Sequence, residues 1–257
     1  MTLLRLFSSA ADLLWTPRCA ACDVPIRYEG ADAERVVFCE ACVSSLDRAV
    51  SPRCPRCGLS FEAGDSDHLC SLCLADPPPF ESLAARYAYG GALSAAITRF
   101  KYGPAPWLAA PLARLLAEGY SPARPIDLVV PVPLHPRRLR ARGFNQAGLL
   151  ASRIPRAVGA PLDTGLLRRE VDTPQQAGLT ASLRLDALIG AFRARPCGRL
   201  EGARVLLVDD VATTTATVRS AAEALVAAGS GAVVVLCLAR TMYRDRRPEV
   251  ASAAPPV

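Results

Sequence analysis

Residues 205–218 read VLLVDDVATTTATV. Four apolar residues run into two adjacent carboxylates, Asp209 and Asp210, and then into small residues that include Thr213, Thr214, Thr215 and Thr217. An unbroken Val/Leu run followed by turn-forming residues marks a strand buried on both faces of a parallel sheet. Ligands of open α/β sheets sit beyond the carboxyl ends of the strands, which is where this stretch puts its acids. The residues after them open a helix. Its free backbone N–H groups and the threonine hydroxyls together form a phosphate cradle. Carboxylates beside such a cradle would repel the phosphate, so they face another part of the same molecule. Ribose hydroxyls, alone or with Mg²⁺, answer that requirement. The residues therefore point to a sugar phosphate, with phosphate on the loop and diol on the acids. The bland alternative is a capped helix after an acidic turn.

The flanking sequence alternates in the same way. ESLAARYAYG (81–90), IDLVVPVPL (126–134), EGARVLLVDD (201–210) and AVVVLCLART (232–241) read as strands. ALSAAITRFKYG (92–103), WLAAPLARLLAEGY (107–120), RGFNQAGLLASRIPRAVG (142–159) and TATVRSAAEALVAAGS (215–230) read as helices. Strand–helix alternation predicts an α/β domain with a parallel sheet flanked by helices. The polar first half of 166–192, centred on Gln175, Gln176 and Gly178, reads as a mobile loop over a site.

Eight of the ten cysteines fall in CxxC pairs: Cys19/Cys22, Cys39/Cys42, Cys54/Cys57 and Cys70/Cys73. Two thiolates on one tight turn grip a tetrahedral zinc from the same side, and a second pair completes the site. Sixteen residues separate the first two pairs and twelve the last two, which is zinc-ribbon spacing. Sequential pairing predicts the sites Cys19/Cys22/Cys39/Cys42 and Cys54/Cys57/Cys70/Cys73, with interleaved pairing as the alternative. Four thiolates leave no open coordination position, so both zincs are read as structural. Disulfides would need an oxidising compartment, and no export signal is evident. His68 is read as a surface residue, and Cys237 as a small core residue.

Composition sets outer bounds. Half of the 257 residues are hydrophobic, enough for a packed core. No apolar run approaches the ~18 residues of a membrane-spanning helix. Arg5 and Asp12 interrupt the apolar N-terminus, which fits an amphipathic helix (Leu3, Leu4, Phe7, Leu14, Trp15) better than a secretory signal. The expected compartment is the cytoplasm. The net charge of +6 is unevenly spread: through Asp76 there are seven Lys/Arg and eleven Asp/Glu, and beyond it 23 and 13. DPPP at 76–79 reads as a linker. The expected organisation is a zinc module over 1–76, an α/β domain over 77–243 and a disordered tail over 244–257.

The acidic stretch resembles the phosphoribosyl-diphosphate (PRPP) loop of type I phosphoribosyltransferases. The chain as a whole resembles the ComF family of competence-related proteins, which join a double zinc ribbon to such a domain. VVPVPLHPRRLRARGFNQAGLLA (129–151), TPQQAGLTASLRLDALIGAF (173–192) and ITRFKYG (97–103) carry this resemblance further. It implies a type I phosphoribosyltransferase-like fold. It implies that Asp209 and Asp210 hold the ribose hydroxyls and that Ala212, Thr213, Thr214, Thr215, Ala216 and Thr217 wrap the 5-phosphate. It places pyrophosphate at Val132 and Pro133, with one or two of Arg137, Arg138, Arg140 and Arg142 neutralising it. Zn²⁺ and Mg²⁺ are the implied cofactors. The implied activity is phosphoribosyl transfer. The alternative is a binding protein for single-stranded DNA or a nucleotide in DNA uptake, in contact with competence-machinery proteins. In that reading Phe144, beside Arg142, is a candidate for stacking on a base, although core packing is the commoner role. The family has glycine where this chain has Thr215, which is stiffer and disfavours positive φ.

Overall fold

The Val205–Val208 run is fully buried at the centre of the sheet that organises the rest of the chain. The computed structural model describes residues 17–26, 37–61, 64–103, 105–118, 120, 122–172, 188 and 190–242. The N-terminal stripe, most of 173–192 including Gln175, Gln176 and Gly178, and the tail from 243 lie outside these residues. Two short helices belong to the cysteine-rich part, α1 (Glu40–Ser44) and α2 (Ser71–Ala75). The body continues with β1 (Ser82–Ala88), α3 (Gly91–Tyr102), a 3₁₀ turn at Pro106–Leu108, α4 (Ala109–Ala117) and β2 (Leu128–Pro131). Next come α5 (Pro136–Arg142), α6 (Gln146–Ala151), α7 (Ile154–Val158), β3 (Leu167–Arg169) and β4 (Phe192–Ala194). The chain then forms β5 (Arg204–Ala212), α8 (Ala216–Ala227) and β6 (Ala232–Arg240).

Among the described residues the main sheet has four strands in the order β1-β6-β5-β2, every pairing parallel. Alternate residues serve opposite faces, as pleating requires. Leu206 and Val208 of β5 join Val234, Leu236 and Leu238 of β6 in one core, with Phe100, Leu112, Leu115 and Leu150 from the helices. Val205 and Leu207 join Val233, Val235 and Cys237 in the other, with Val218, Ala221 and Leu225 of α8. The parallel sheet flanked by helices is as the sequence pattern predicts, and Cys237 is the small core residue expected of it.

The free edge of β1 does not face solvent. Arg48 bridges Tyr87 in antiparallel sense, Ala49 donates to Arg86 O at 2.9 Å, and Ala88 donates to Asp47 O at 2.8 Å. Further along, Leu83 donates to Arg56 O at 2.8 Å. The cysteine-rich part thus covers the sheet edge that would otherwise invite pairing with another chain.

Two local expectations are corrected, and one helix lies where the sequence reading assigned no element. The helix expected over 142–159 is two helices, because Pro155 has no N–H for the ladder and its ring clashes with the carbonyl four residues back. The arginine-rich run 136–142 is itself a helix, α5. Pro136 starts it, the His135 side chain accepts from Arg137 N, and Gly143 ends it at φ +83°. Part of the expected loop over 166–192 is the antiparallel pair β3–β4, whose three-residue strands are too short to show a period.

Gly58 is tightly placed. It sits at φ +67°, and a Cβ on it would come within 2.8 Å of Leu83 O. Gly58→Ala combines left-handed strain with that clash and should cost about 2 kcal/mol. Thermal unfolding should register a drop of several degrees, whereas Gly159→Ala, at φ +70° with open space around it, should cost only the backbone strain.

Candidate functional site

Two clusters of four cysteines form, Cys19/Cys22/Cys39/Cys42 and Cys54/Cys57/Cys70/Cys73, with each cluster's sulfurs within 4.8 Å of one another. This is the sequential pairing. Cys22 Sγ lies 3.6 Å from Cys39 Sγ, and Cys57 Sγ lies 3.7 Å from Cys70 Sγ, so each site is closed across its two knuckles. Burial alone would raise the Cys19 thiol, but N–H groups of Cys22, Cys39 and Ala21 aimed at the sulfur bring it down to about 6. Cys54 is brought to about 7 in the same way by Cys57, Cys70 and Arg56. Burial and crowding by neighbouring sulfurs push Cys42 and Cys73 up. Four thiolates this close cannot all ionise without a cation, and a closed tetrahedral thiolate set is what Zn²⁺ requires. His68 is exposed and stacks on Phe61 at 4.1 Å, as expected of a surface residue.

The acidic pair lies within β5, not after it. The β5–β6 ladder continues past the acids through Val211↔Ala239 and Ala212↔Arg240. Asp209 and Asp210 therefore alternate across the sheet. Asp210 is buried, and its Oδ2 meets Lys101 Nζ, from α3, at 2.9 Å. Burial alone would lower the Lys101 ammonium, but Asp210 in contact and Asp209 behind it hold it above its ordinary value. Asp209 accepts from Asp210 N at 2.9 Å. Burial, and then the like charge of Asp210, push Asp209 up to about 7, with Lys101 and Arg169 acting in the opposite direction.

Beyond β5 the loop turns through Thr213 and Thr214 to Thr215, the N-cap of α8. Thr215 has φ +65° and ψ −3°, the left-handed region that a β-branched residue rarely adopts. The glycine-type conformation is thus retained with threonine in place. Thr215 Oγ1 donates to Thr214 O at 2.6 Å. The Arg240 guanidinium, buried beneath the loop, donates to Ala212 O at 3.1 Å and to Thr213 O.

Val132, just past β2, is joined to β5 one residue before the acidic pair. Val132 N donates to Val208 O at 2.9 Å, and Asn145 Nδ2 donates to Val132 O at 3.0 Å. Arg142 lies over the Tyr102 ring at 5.0 Å and donates to Gln146 Oε1 at 2.8 Å. Arg137 and Arg138 turn to Asp172 at 3.7 and 3.6 Å, with His135 Nδ1 at 3.5 Å from the same carboxylate. Phe144 is partly buried and packs on Phe100 at 5.5 Å, so the bland reading of it applies. Tyr102, 62% exposed, is the aromatic at the surface here.

Lys101, Arg169, Tyr102 and Arg240 were not singled out by the sequence reading. Lys101 had one signal: it is the only lysine in a chain whose other cations are arginine. Arg169 is buried over Phe192 at 5.4 Å and carries positive charge toward Asp209.

Residues 10–74 match the double zinc ribbon domain family. The chain is 37% identical over 211 residues to the DNA utilization protein YhgH of Salmonella typhi, spanning 80% of this chain and 91% of that one. It is 32% identical over 210 residues to Competence protein F of Haemophilus influenzae, spanning 79% and 90%. A solved structure of the allosteric regulatory enzyme of purine biosynthesis overlaps 55% of this chain and 29% of its own, at 22% identity and a TM-score of 0.36, too slight a likeness to bear on function. Ribbons, parallel sheet and acidic loop define a double zinc ribbon protein built onto an open α/β domain. With relatives this similar over most of both chains, the protein belongs to the ComF family. No helix among the described residues is long and apolar enough to cross a membrane.

Two predictions follow from the loop and the acids. Thr215→Gly should relieve left-handed strain and stabilise the fold by about 1 kcal/mol, read as a rise of ~2–4 °C in melting temperature. Asp209 has a folded pKa above that of the unfolded chain. Its contribution to stability is full below about pH 4 and is lost as pH rises through about 7. Without divalent ions, wild type should lose more melting temperature between pH 5 and pH 8 than Asp209→Asn does.

Proposed function

We propose that the chain binds PRPP or a closely related sugar phosphate together with Mg²⁺. The observation that carries this reading is the acidic pair near the carboxyl end of a central parallel strand, two residues before a hydroxyl-rich loop that caps a helix. In this reading Asp209 and Asp210 hold the ribose diol. The N–H groups and hydroxyls of Thr213–Thr217 hold the 5-phosphate, assisted by the start of α8. Val132, Pro133 and Arg142 border the diphosphate. Mg²⁺ suits the donor set, because of the two adjacent carboxylates only Asp210 is in contact with a cation, Lys101 Nζ at 2.9 Å. When bound, it neutralises diphosphate charge. The zincs hold the ribbons and take no part in chemistry.

The reaction open to such a site is displacement at C1 of the ribose. The C1–O bond to diphosphate breaks, its electron pair leaves with the diphosphate, and an acceptor nucleophile forms the new bond. The protein's part is positioning and charge stabilisation. Lys101 and Arg169 supply fixed positive charge on either side of the acids.

A second reading is favoured by Tyr102. An exposed aromatic ring with Arg142 over it, next to the residue that contacts Asp210, suits a base of single-stranded nucleic acid. The relatives' printed names, DNA utilization and competence, agree with that use. Stacking of this kind is worth ~1–3 kcal/mol per base.

Calorimetric titration with PRPP separates the two. Saturable, Mg²⁺-dependent binding should fall at least tenfold in the Asp209→Asn/Asp210→Asn double variant. No binding by folded, zinc-loaded wild type would overturn the sugar-phosphate reading. An oligonucleotide titration would then be decisive for the second, with affinity falling steeply with salt and weakened by Tyr102→Ala.

A further inference from the structure

One guanidinium joins the second zinc ribbon to the acidic loop. Arg240, the last residue of β6, is buried. Its Nε donates to Cys57 O at 3.1 Å. Its Nη1 donates to Ala212 O at 3.1 Å, Thr213 O and Thr241 O at 3.3 Å. Cys57 belongs to the Cys54/Cys57/Cys70/Cys73 cluster. Ala212 and Thr213 begin the loop that turns through Thr215 into α8. A single planar cation thus bridges a zinc-binding knuckle and the first two carbonyls of the loop.

The surroundings make that bridge stiff. Gly58 meets Leu83 O closely, and Leu83 N donates to Arg56 O at 2.8 Å, so the knuckle is fixed to β1 beside Arg240. Ala212 O also accepts from Thr241 N at 3.0 Å. The Ala212 and Thr213 carbonyls are therefore turned inward to Arg240 and the end of β6. The loop must hold Thr215 in a strained conformation, and strain persists only where the surroundings over-determine it.

We infer that Arg240 is a positioning residue that couples zinc occupancy of the Cys54/Cys57/Cys70/Cys73 site to the shape of the 212–217 loop. A zinc ion with four thiolates carries a formal charge of −2. The loaded site thus holds Arg240 by charge as well as by the Cys57 carbonyl. Loss of the metal frees the knuckle, lets Arg240 move, and releases the loop's first turn. Coupling of this kind is reciprocal, so an anion held by the loop strengthens zinc retention at this site. The Cys19/Cys22/Cys39/Cys42 site has no hydrogen bond to the loop among the described residues. It joins the body through the core that holds Cys19 and Phe38 with Phe100, and through Arg99, which donates to Cys19 O at 3.3 Å and to Asp23 Oδ1 at 2.5 Å.

The loop-shape part stands apart from the sugar-phosphate reading; only the effect on binding rests on it. The test is hydrogen–deuterium exchange on the full zinc-loaded chain, comparing wild type, Arg240→Lys, Cys70→Ser and Cys22→Ser. Amides of 212–217 should exchange on the order of tenfold faster in Arg240→Lys and Cys70→Ser, and at the wild-type rate in Cys22→Ser. Amides of Val205–Val208 should stay protected throughout, which separates loop release from unfolding. Unchanged loop exchange in folded Cys70→Ser would overturn the coupling, even if Arg240→Lys failed to fold. Equal acceleration in Cys22→Ser would overturn it as well, since the effect would not belong to the second site. PRPP titration of the same proteins adds an independent arm. Wild type that binds PRPP as tightly as Cys70→Ser overturns the coupling, whereas wild type that binds none leaves the exchange result to decide.

Discussion

The parallel pairing of β5 with β6 over Arg204–Ala212 carries the site on its back. β5 is an inner strand with β2 on its other side. Its apolar residues alternate between the two cores, so its register cannot slip without turning both cores inside out. That register puts Asp210 on the side of α3 and Lys101, and Asp209 on the other. It also sets the point at which the strand yields to the threonine loop. Small loop residues suffice because the strand has already fixed where the loop starts.

The charges follow from this placement. Two carboxylates on successive residues of a buried strand would be costly alone, and the molecule meets them with Lys101 from one side and Arg169 from the other. Removing a partner from a buried ion pair is more disruptive than replacing both. Lys101 comes from a helix anchored to the first zinc ribbon by Arg99. Arg240 holds the loop from the second. Each ribbon is thus tied to the body by an arginine bound to the carbonyl of a zinc-ligating cysteine, Arg99 on Cys19 and Arg240 on Cys57.

Much of this was legible in the sequence, and the reasons differ by feature. Long buried strands such as Val205–Val208 and Val233–Leu238 advertise themselves by unbroken apolar runs. The CxxC pairs do so by spacing, because zinc geometry tolerates little variation in it. Arg169 and Arg240 were not legible, since each acts on residues far away in the chain and has no local pattern, and Lys101 stood out only as the one lysine of the chain. The α5 helix was missed because a solvent-facing arginine run has no apolar stripe to betray its period. Phe144 and Tyr102 each lie at or beside a helix end, yet Phe144 is partly buried and Tyr102 exposed, a difference that local pattern does not reveal. Thr215 was noticed as a departure from glycine, but that the backbone would keep glycine's conformation could not be read from residue type.

The proline stretch after Asp76 has the composition of a hinge, yet it is pinned at both ends. Arg219 of α8 donates to Asp76 O and Pro77 O at 3.3 Å and meets the Asp76 carboxylate at 2.6 Å. Arg56 donates to Pro78 O at 3.0 Å. The ribbon segment at 47–49 lies along β1 as well. A protease that cut within 76–79 would therefore nick the chain without parting it. The two fragments would stay together as a non-covalent pair, and the body made without its ribbons would begin life with an open sheet edge.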